Sequence, residues 1–310
     1  MNCNNMKIID AHSHLWLKQD TMWNGLEIRE MKNGRCMFLG EEVQMLPPFM
    51  IDGRNSAEVF LSNMNYAQVS AAVVVQELID GNQNDYLEQV RAAYPTRFQV
   101  CGMVNCFGKD MAQEAKTLAD KGFQGIAVPG HRLILDQQRV LLNSPEMMSM
   151  YRVMTEHDMF LSITLADGDL QTGELREVIE TYPELRIAIG HFGMPTRDKW
   201  TEQVKLARYK NVMVESGGIT WLYNSEFYPF PGAIRAIREA ADLVGMDKLM
   251  WGSDYPRTIT AITYRMSYDF VVKSHELTEN EKEQFLGENA RRFYGFDELV
   301  ELPYVKNMSE

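Results

Sequence analysis

The chain has 310 residues, 45% hydrophobic and 24% charged, which excludes disordered, collagenous and low-complexity classes. Thirty-one Lys and Arg against 43 Asp and Glu give a formal charge of −12. A phosphate backbone or an anionic membrane surface calls for the opposite balance, so nucleic-acid and membrane partners are disfavoured. A small anionic ligand is not excluded, because a local pair of arginines can dominate a pocket.

Cys3, Cys36, Cys101 and Cys106 form no CxxC pair and no zinc-ribbon spacing, which predicts reduced structural thiols. The segment MNCNNMKIID has no apolar core of a secretory signal, and no charge-free run approaches the ~20 residues that span a bilayer. The expectation is a soluble, cytoplasmic protein.

Eight short apolar runs follow one another along the chain: 7–11, 71–76, 97–104, 123–128, 159–165, 186–190, 211–215 and 248–251. Several are β-branched with little polar alternation, as in parallel strands covered on both faces. Helical patterns lie between them. Asn55 with Glu58 suggests a capping box opening a helix to Val69, and Ser144-Pro145 an N-cap before 147–157. Segments 171–182, 198–209, 233–244 and 259–274 follow, and Thr278 with Glu281 opens a last capped helix to Arg292. Eight such units predict a single (β/α)8 TIM barrel over residues 1–310, the alternative being an open doubly wound sheet. No GxGxxG or Walker loop follows any strand, which disfavours that alternative.

Two connections are long. Residues 16–54, after the first strand, carry Trp16, Trp23, Met37, Phe38, Pro47 and Pro48, and are expected to form a lid or pocket wall. Residues 217–231 (GGITWLYNSEFYPFP) should overhang the same mouth, and 296–310 read as an acidic tail, solvated or contacting another subunit.

His12-Ser13-His14 closes the first strand, and period two sends both imidazoles the same way. His191 directly follows the sixth run and Asp254 the eighth, with Gly190, Gly193 and Gly252 leaving room for close backbone approach. Barrel active sites are built from such C-terminal strand ends, so these four are the candidate catalytic residues. Two imidazoles and a carboxylate also suit zinc or manganese, which makes His12, His14 and Asp254 candidate metal ligands. Arg132 and Arg257 are placed to bind a carboxylate, and Trp16 and Trp221 to stack on a sugar or ring. His131, His157 and His275 lack this setting. The 21 methionines read as core filling.

On DAHSHLW, GHFGMP, NVMVESGG, GSDYP and ENARRFYGF the chain resembles the amidohydrolase superfamily, in its amidohydrolase-related (amidohydrolase 2) branch. It is most similar there to the group of sugar-acid and pyrone-dicarboxylate lactonases. The resemblance implies a hydrolase opening a lactone ring; ester hydrolysis needs an activated water and a polarised carbonyl, and Asp254 is the expected base for the first and His191 the expected donor for the second. Two departures narrow it. LSITLADGD places no histidine at the end of strand five, and GIAVPGHR no lysine at the end of strand four, so a binuclear site is not expected. The group holds metal-using and metal-free members, so one divalent ion or none is implied. The alternative is a metal-dependent non-oxidative decarboxylase of an aromatic or dienoic acid. The partner expected in either case is a small molecule, a carboxylate or a sugar-acid lactone, with homo-oligomers as a further option.

Overall fold

The computed structural model describes residues 6–134, 139–306 and 308. All eight expected barrel strands are present and parallel. They are β1 (Ile8–Ser13), β6 (Val69–Val74), β7 (Phe98–Gly102), β8 (Gly125–Val128), β9 (Phe160–Ile163), β10 (Ile187–Ile189), β11 (Val212–Glu215) and β12 (Leu249–Met250), and they pair in that order. Closure from β12 back to β1 runs through Ala11 N to Trp251 O (2.9 Å), Asp254 N to His12 O (2.9 Å) and His14 N to Tyr255 O (2.7 Å). The result is a nearly closed (β/α)8 barrel, as the repeating apolar runs predict.

Strand parity sorts the core into two layers. Ile9, Ala11, Ala71, Val73, Ala127 and Ala188 fill the barrel interior with Phe293, Tyr294 and Phe296, while Ile8, Ala72, Val74 and Ile126 face the helices. Phe296 is therefore core, and the exposed tail begins after it. The register of β1 against β6 shifts between Asp10 and Ser13. That irregularity breaks the parity set by Ile9 and Ala11 and turns His12 and His14 toward the mouth, the usual work of a bulge beside a site.

The insertion is a four-stranded antiparallel meander: β2 (Asp20–Trp23), β3 (Leu26–Glu30), β4 (Arg35–Phe38) and β5 (Glu41–Gln44). Asn24 and Gly25, both at positive φ, connect Trp23 to its pair Leu26 in a two-residue hairpin loop. Trp16 and Asn55 bridge its base. Trp23, Ile28 and Cys36 pack on Ile79, which follows β6, so the meander leans on the wall of the mouth.

Several helix boundaries differ from expectation. Helix 57–66 has Ser56, not Asn55, at its N-cap, because the Asn55 amide donates to the His14 carbonyl instead. The segment 259–274 is broken into a 3-10 turn Arg257–Thr260 and a helix Met266–Lys273; between them the Tyr264 hydroxyl reaches Asp10 Oδ2 at 2.7 Å. The region 198–209 holds a short helix, Trp200–Val204, and a 3-10 turn. Ser144 and the Thr278–Glu281 box cap their helices as expected. Cys36, Cys101 and Cys106 are free and buried, and Cys3 lies outside the described residues. No helix among the described residues is long and apolar enough to cross a membrane.

Candidate active site

A cavity of about 240 Å³ opens at the C-terminal end of the barrel, lined by His12, His14, His191 and Asp254 among others. It lies just below the usual range of small-molecule pockets, roughly 300–1,000 Å³, and suits a ligand the size of a single ring. The four candidates from the sequence therefore meet in one place, although they come from three strand ends far apart in the chain.

Local backbone aims them. His191 and Asp254 both adopt left-handed φ, 56° and 57°, turning sharply at the ends of β10 and β12. Such conformations cost energy and persist where the surroundings fix them. Close approach is needed as well: a Cβ on Gly252 would lie 2.7 Å from both Glu215 Oε2 and the His12 Cβ.

Hydrogen positions follow from the partners. His12 Nδ1 lies 2.7 Å from Glu215 Oε1, and His14 Nδ1 lies 2.8 Å from Asp80 Oδ2. A carboxylate on each Nδ1 favours a proton there and leaves Nε2 as a lone pair. Those two Nε2 atoms stand 3.2 Å apart, and Asp254 Oδ1 is 3.2 Å from the His14 Nε2 and 3.8 Å from the His12 Nε2. Donor atoms of His12, His14 and Asp254 all fall within 4.8 Å of one another. Three lone pairs converging in a buried spot repel unless a cation or proton sits among them, so the donor set fits one divalent ion. Glu215 and Asp80 stand behind the two imidazoles as the carboxylates that commonly orient metal-binding histidines.

The charges are strongly coupled. Burial alone would lower His12, but Glu215 and Asp254 outweigh it and push the imidazole up to about 9. Burial would raise Asp254, yet the adjacent His14 imidazole and the Arg257 charge hold it far below the usual carboxylate range. Asp80, also buried, is held down to about 2 by Arg257 and His14. The same carboxylates that draw a proton would draw a metal ion.

His191 differs. Its Nδ1 lies 2.7 Å from the Gly217 carbonyl oxygen, which can only accept, so Nδ1 carries the hydrogen. Burial and then the His12 charge lower its pKa. Neutral His191 thus offers an acceptor Nε2, and donation to a substrate oxygen requires the imidazolium.

The other candidates divide. Trp221 lines the cavity and donates Nε1 to Asp254 Oδ2 at 2.8 Å. Trp16 does not line it: the ring is fully buried against Leu46 and Met50, with Nε1 on the Gly53 carbonyl, so it is core. Arg132 and Arg257 do line the cavity, each in an ion pair with Glu77 and Asp80 respectively. No residue of 16–54 lines it; the meander reaches the site through Trp23, whose ring centroid is 5.7 Å from the Arg132 guanidinium carbon. The expected overhang of 217–231 is present as the short helix Ile219–Leu222 that carries Trp221.

Sequence reasoning passed over Glu215, Asp80, Glu77 and His131. Glu215 ends β11 as the one charge of an otherwise apolar strand, the same signal that singled out His191 and Asp254. His131 lines the cavity beside Glu77, and burial pushes its imidazole down to about 4, whereas His157 and His275 are exposed. Ser162 and Thr164 occupy the cavity wall at the end of β9, where the sequence lacks a histidine.

Comparison with known proteins agrees with this architecture. The chain is 26% identical over 266 residues to the L-fucono-1,5-lactonase of Burkholderia ambifaria, covering 80% of each. Among solved structures it is similar to an amidohydrolase of Burkholderia multivorans with bound zinc (TM-score 0.69, 16% identity, 93% of this chain and 99% of that one). It is also similar to a probable 2-pyrone-4,6-dicarboxylic acid hydrolase of Acinetobacter baumannii with citric acid bound (TM-score 0.67, 19% identity, 94% and 100%). The amidohydrolase family model matches residues 9–296, nearly the whole barrel, and the chain belongs to the amidohydrolase family.

Proposed function

We propose that the protein is a lactonase, opening the ring ester of a sugar-acid or dicarboxylate lactone, with one zinc or manganese ion held by His12, His14 and Asp254. The observation that carries this reading is the convergence of those three lone-pair donors beside a neutral His191 in a ring-sized cavity. The likeness to a lactonase over four-fifths of the chain supports it. When bound, the ion supplies Lewis-acid polarisation of the carbonyl and acidifies a water.

The chain's own groups do the rest. Asp254 stays ionised, and Trp221 fixes its Oδ2. Its Oδ1 accepts a hydrogen of the attacking water and orients it. As the C–O bond to the carbonyl carbon forms, the proton passes on to His191 Nε2. The resulting imidazolium donates to the developing oxyanion, so His191 stabilises the tetrahedral intermediate rather than polarising the resting carbonyl, and it then returns the proton to the ring oxygen as the ester bond breaks.

The test is acid release, followed with a pH indicator, from a panel of sugar-acid and dicarboxylate lactones with and without chelator. Release abolished by chelator is the expected result, and release that survives it removes the metal from the reading. Silence on every lactone, with carbon dioxide evolved from aromatic acids, would replace it by the decarboxylase alternative.

A further inference from the structure

The two guanidinium groups of the cavity each carry a carboxylate of the protein's own. Arg132 donates Nε to Glu77 Oε1 at 2.9 Å and Nη2 to Glu77 Oε2 at 3.1 Å, a parallel fork that fills one of the two edges on which a guanidinium holds a carboxylate and cancels its charge. Both side chains are largely buried, 15% and 13% exposed. The guanidinium also lies over the Trp23 ring of the meander, whose centroid is 5.7 Å from its central carbon. Arg257 donates Nη2 to Asp80 Oδ1 at 2.8 Å and stands 3.6 Å from Asp254 Oδ1. Swinging either arginine onto a ligand would strand a buried carboxylate, a costly exchange.

The charge balance points the same way. Counting the imidazoles as neutral, as metal ligation requires of His12, the site sets two arginines against four carboxylates, Glu77, Asp80, Asp254 and Glu215. A divalent ion brings that group to zero and leaves no surplus for a dianion. Asp167 lines the rim and is met by Arg197 at 3.7 Å. Much of the remaining lining is apolar (Ile79, Val128, Leu165, Met194), a surface for the C–H face of a ring.

We propose that Glu77 is a specificity determinant: by occupying the Nε–Nη2 edge of Arg132 and cancelling its charge it selects against carboxylate-bearing ligands, and the substrate is an uncharged hydroxylated lactone. The word lactone rests on the reading above; the charge preference does not. Calorimetry on the protein as purified separates the two, using an uncharged aldonolactam as a non-hydrolysable ring and isophthalate as a flat dicarboxylate. The wild type should bind the lactam at least tenfold more tightly than isophthalate. Glu77→Gln, which keeps the shape and removes the charge, should tighten isophthalate at least tenfold. A wild type that binds isophthalate as tightly as the lactam overturns the proposal whether or not the variant folds, and so does a folded variant with no gain. A preserved charge preference in a protein that opens no lactone leaves Glu77 as the selector and removes the hydrolysis reading alone.

Discussion

Glu215 sits behind the proposed metal ligands, and replacing it with glutamine tests their arrangement. Its Oε1 is 2.7 Å from His12 Nδ1, and its Oε2 accepts from the Gly217 amide. Both partners are donors, so the site needs two acceptor oxygens. Glutamine supplies one oxygen and one NH2, and the NH2 must then face an N–H. Either the Gly217 bond is lost, or the His12 proton moves to Nε2, where it blocks the lone pair aimed at the ion. Mutations of carboxylates behind metal-bound histidines typically lower metal affinity by roughly 10–100-fold. At about 1.4 kcal/mol per decade this is roughly 1.4–2.8 kcal/mol. Zinc and manganese affinity, measured in competition with a chromogenic chelator, should fall by that amount while far-ultraviolet circular dichroism stays native. Asp167→Asn, at the exposed rim, serves as control. Unchanged affinity in a folded Glu215→Gln variant would refute the idea that His12 is held as an Nδ1–H tautomer to receive a metal ion.

Asp254→Asn should reduce kcat on any lactone that is opened by roughly 10²–10⁴-fold, the range of a lost acid–base group, with native far-ultraviolet circular dichroism showing that the fold is kept. Trp16→Ala should instead act on stability: the ring is fully buried outside the cavity, so urea unfolding should show a loss of about 3–5 kcal/mol, with KM for that lactone unmoved. His131 gives a pH signature. Burial, partly offset by Glu77 and reinforced by Arg132, lowers its pKa from 6.5 to about 4, so the unfolded chain binds the proton more readily. Its contribution is complete above pH 6.5 and is lost as pH falls through 4. Between pH 7 and pH 4 the wild type should lose ~3 kcal/mol more stability than His131→Gln, read from paired urea titrations at each pH.

The barrel was legible because its signals are local. Each strand is a short apolar run, and the residue ending it marks the mouth, so His12, His14, His191 and Asp254 could be assembled without coordinates. By the same rule Glu215 was within reach: it closes the apolar run 211–215, which was read as a strand while the carboxylate at its end was not read as part of the mouth. The meander was missed for another reason. Its strands alternate weakly, and the informative feature was the Asn24-Gly25 pair, a two-residue hairpin signal, rather than its tryptophans. Trp16 and Trp221 cannot be told apart by residue type. One follows a strand and turns into core; the other is delivered by a short helix onto Asp254.

Pairing across the mouth was the part no single segment encodes. Arg132 and Arg257 lie beside the site, as their positions suggested, and in isolation each looks ready for a ligand carboxylate. Their actual partners, Glu77 and Asp80, follow β6, some 55 and 177 residues away. That loop also receives the meander, through Ile79 and Trp23. One short stretch therefore sets the Arg132 fork, backs the His14 imidazole and anchors the insertion. A change at Trp23 acts directly on the Arg132 guanidinium that its ring meets, and on the metal ligands only indirectly, through Ile79 and Asp80. Binding selectivity and metal affinity should accordingly separate: substitutions at Trp23 or Glu77 should alter which ligands bind, and substitutions at Glu215 should alter whether the ion is held.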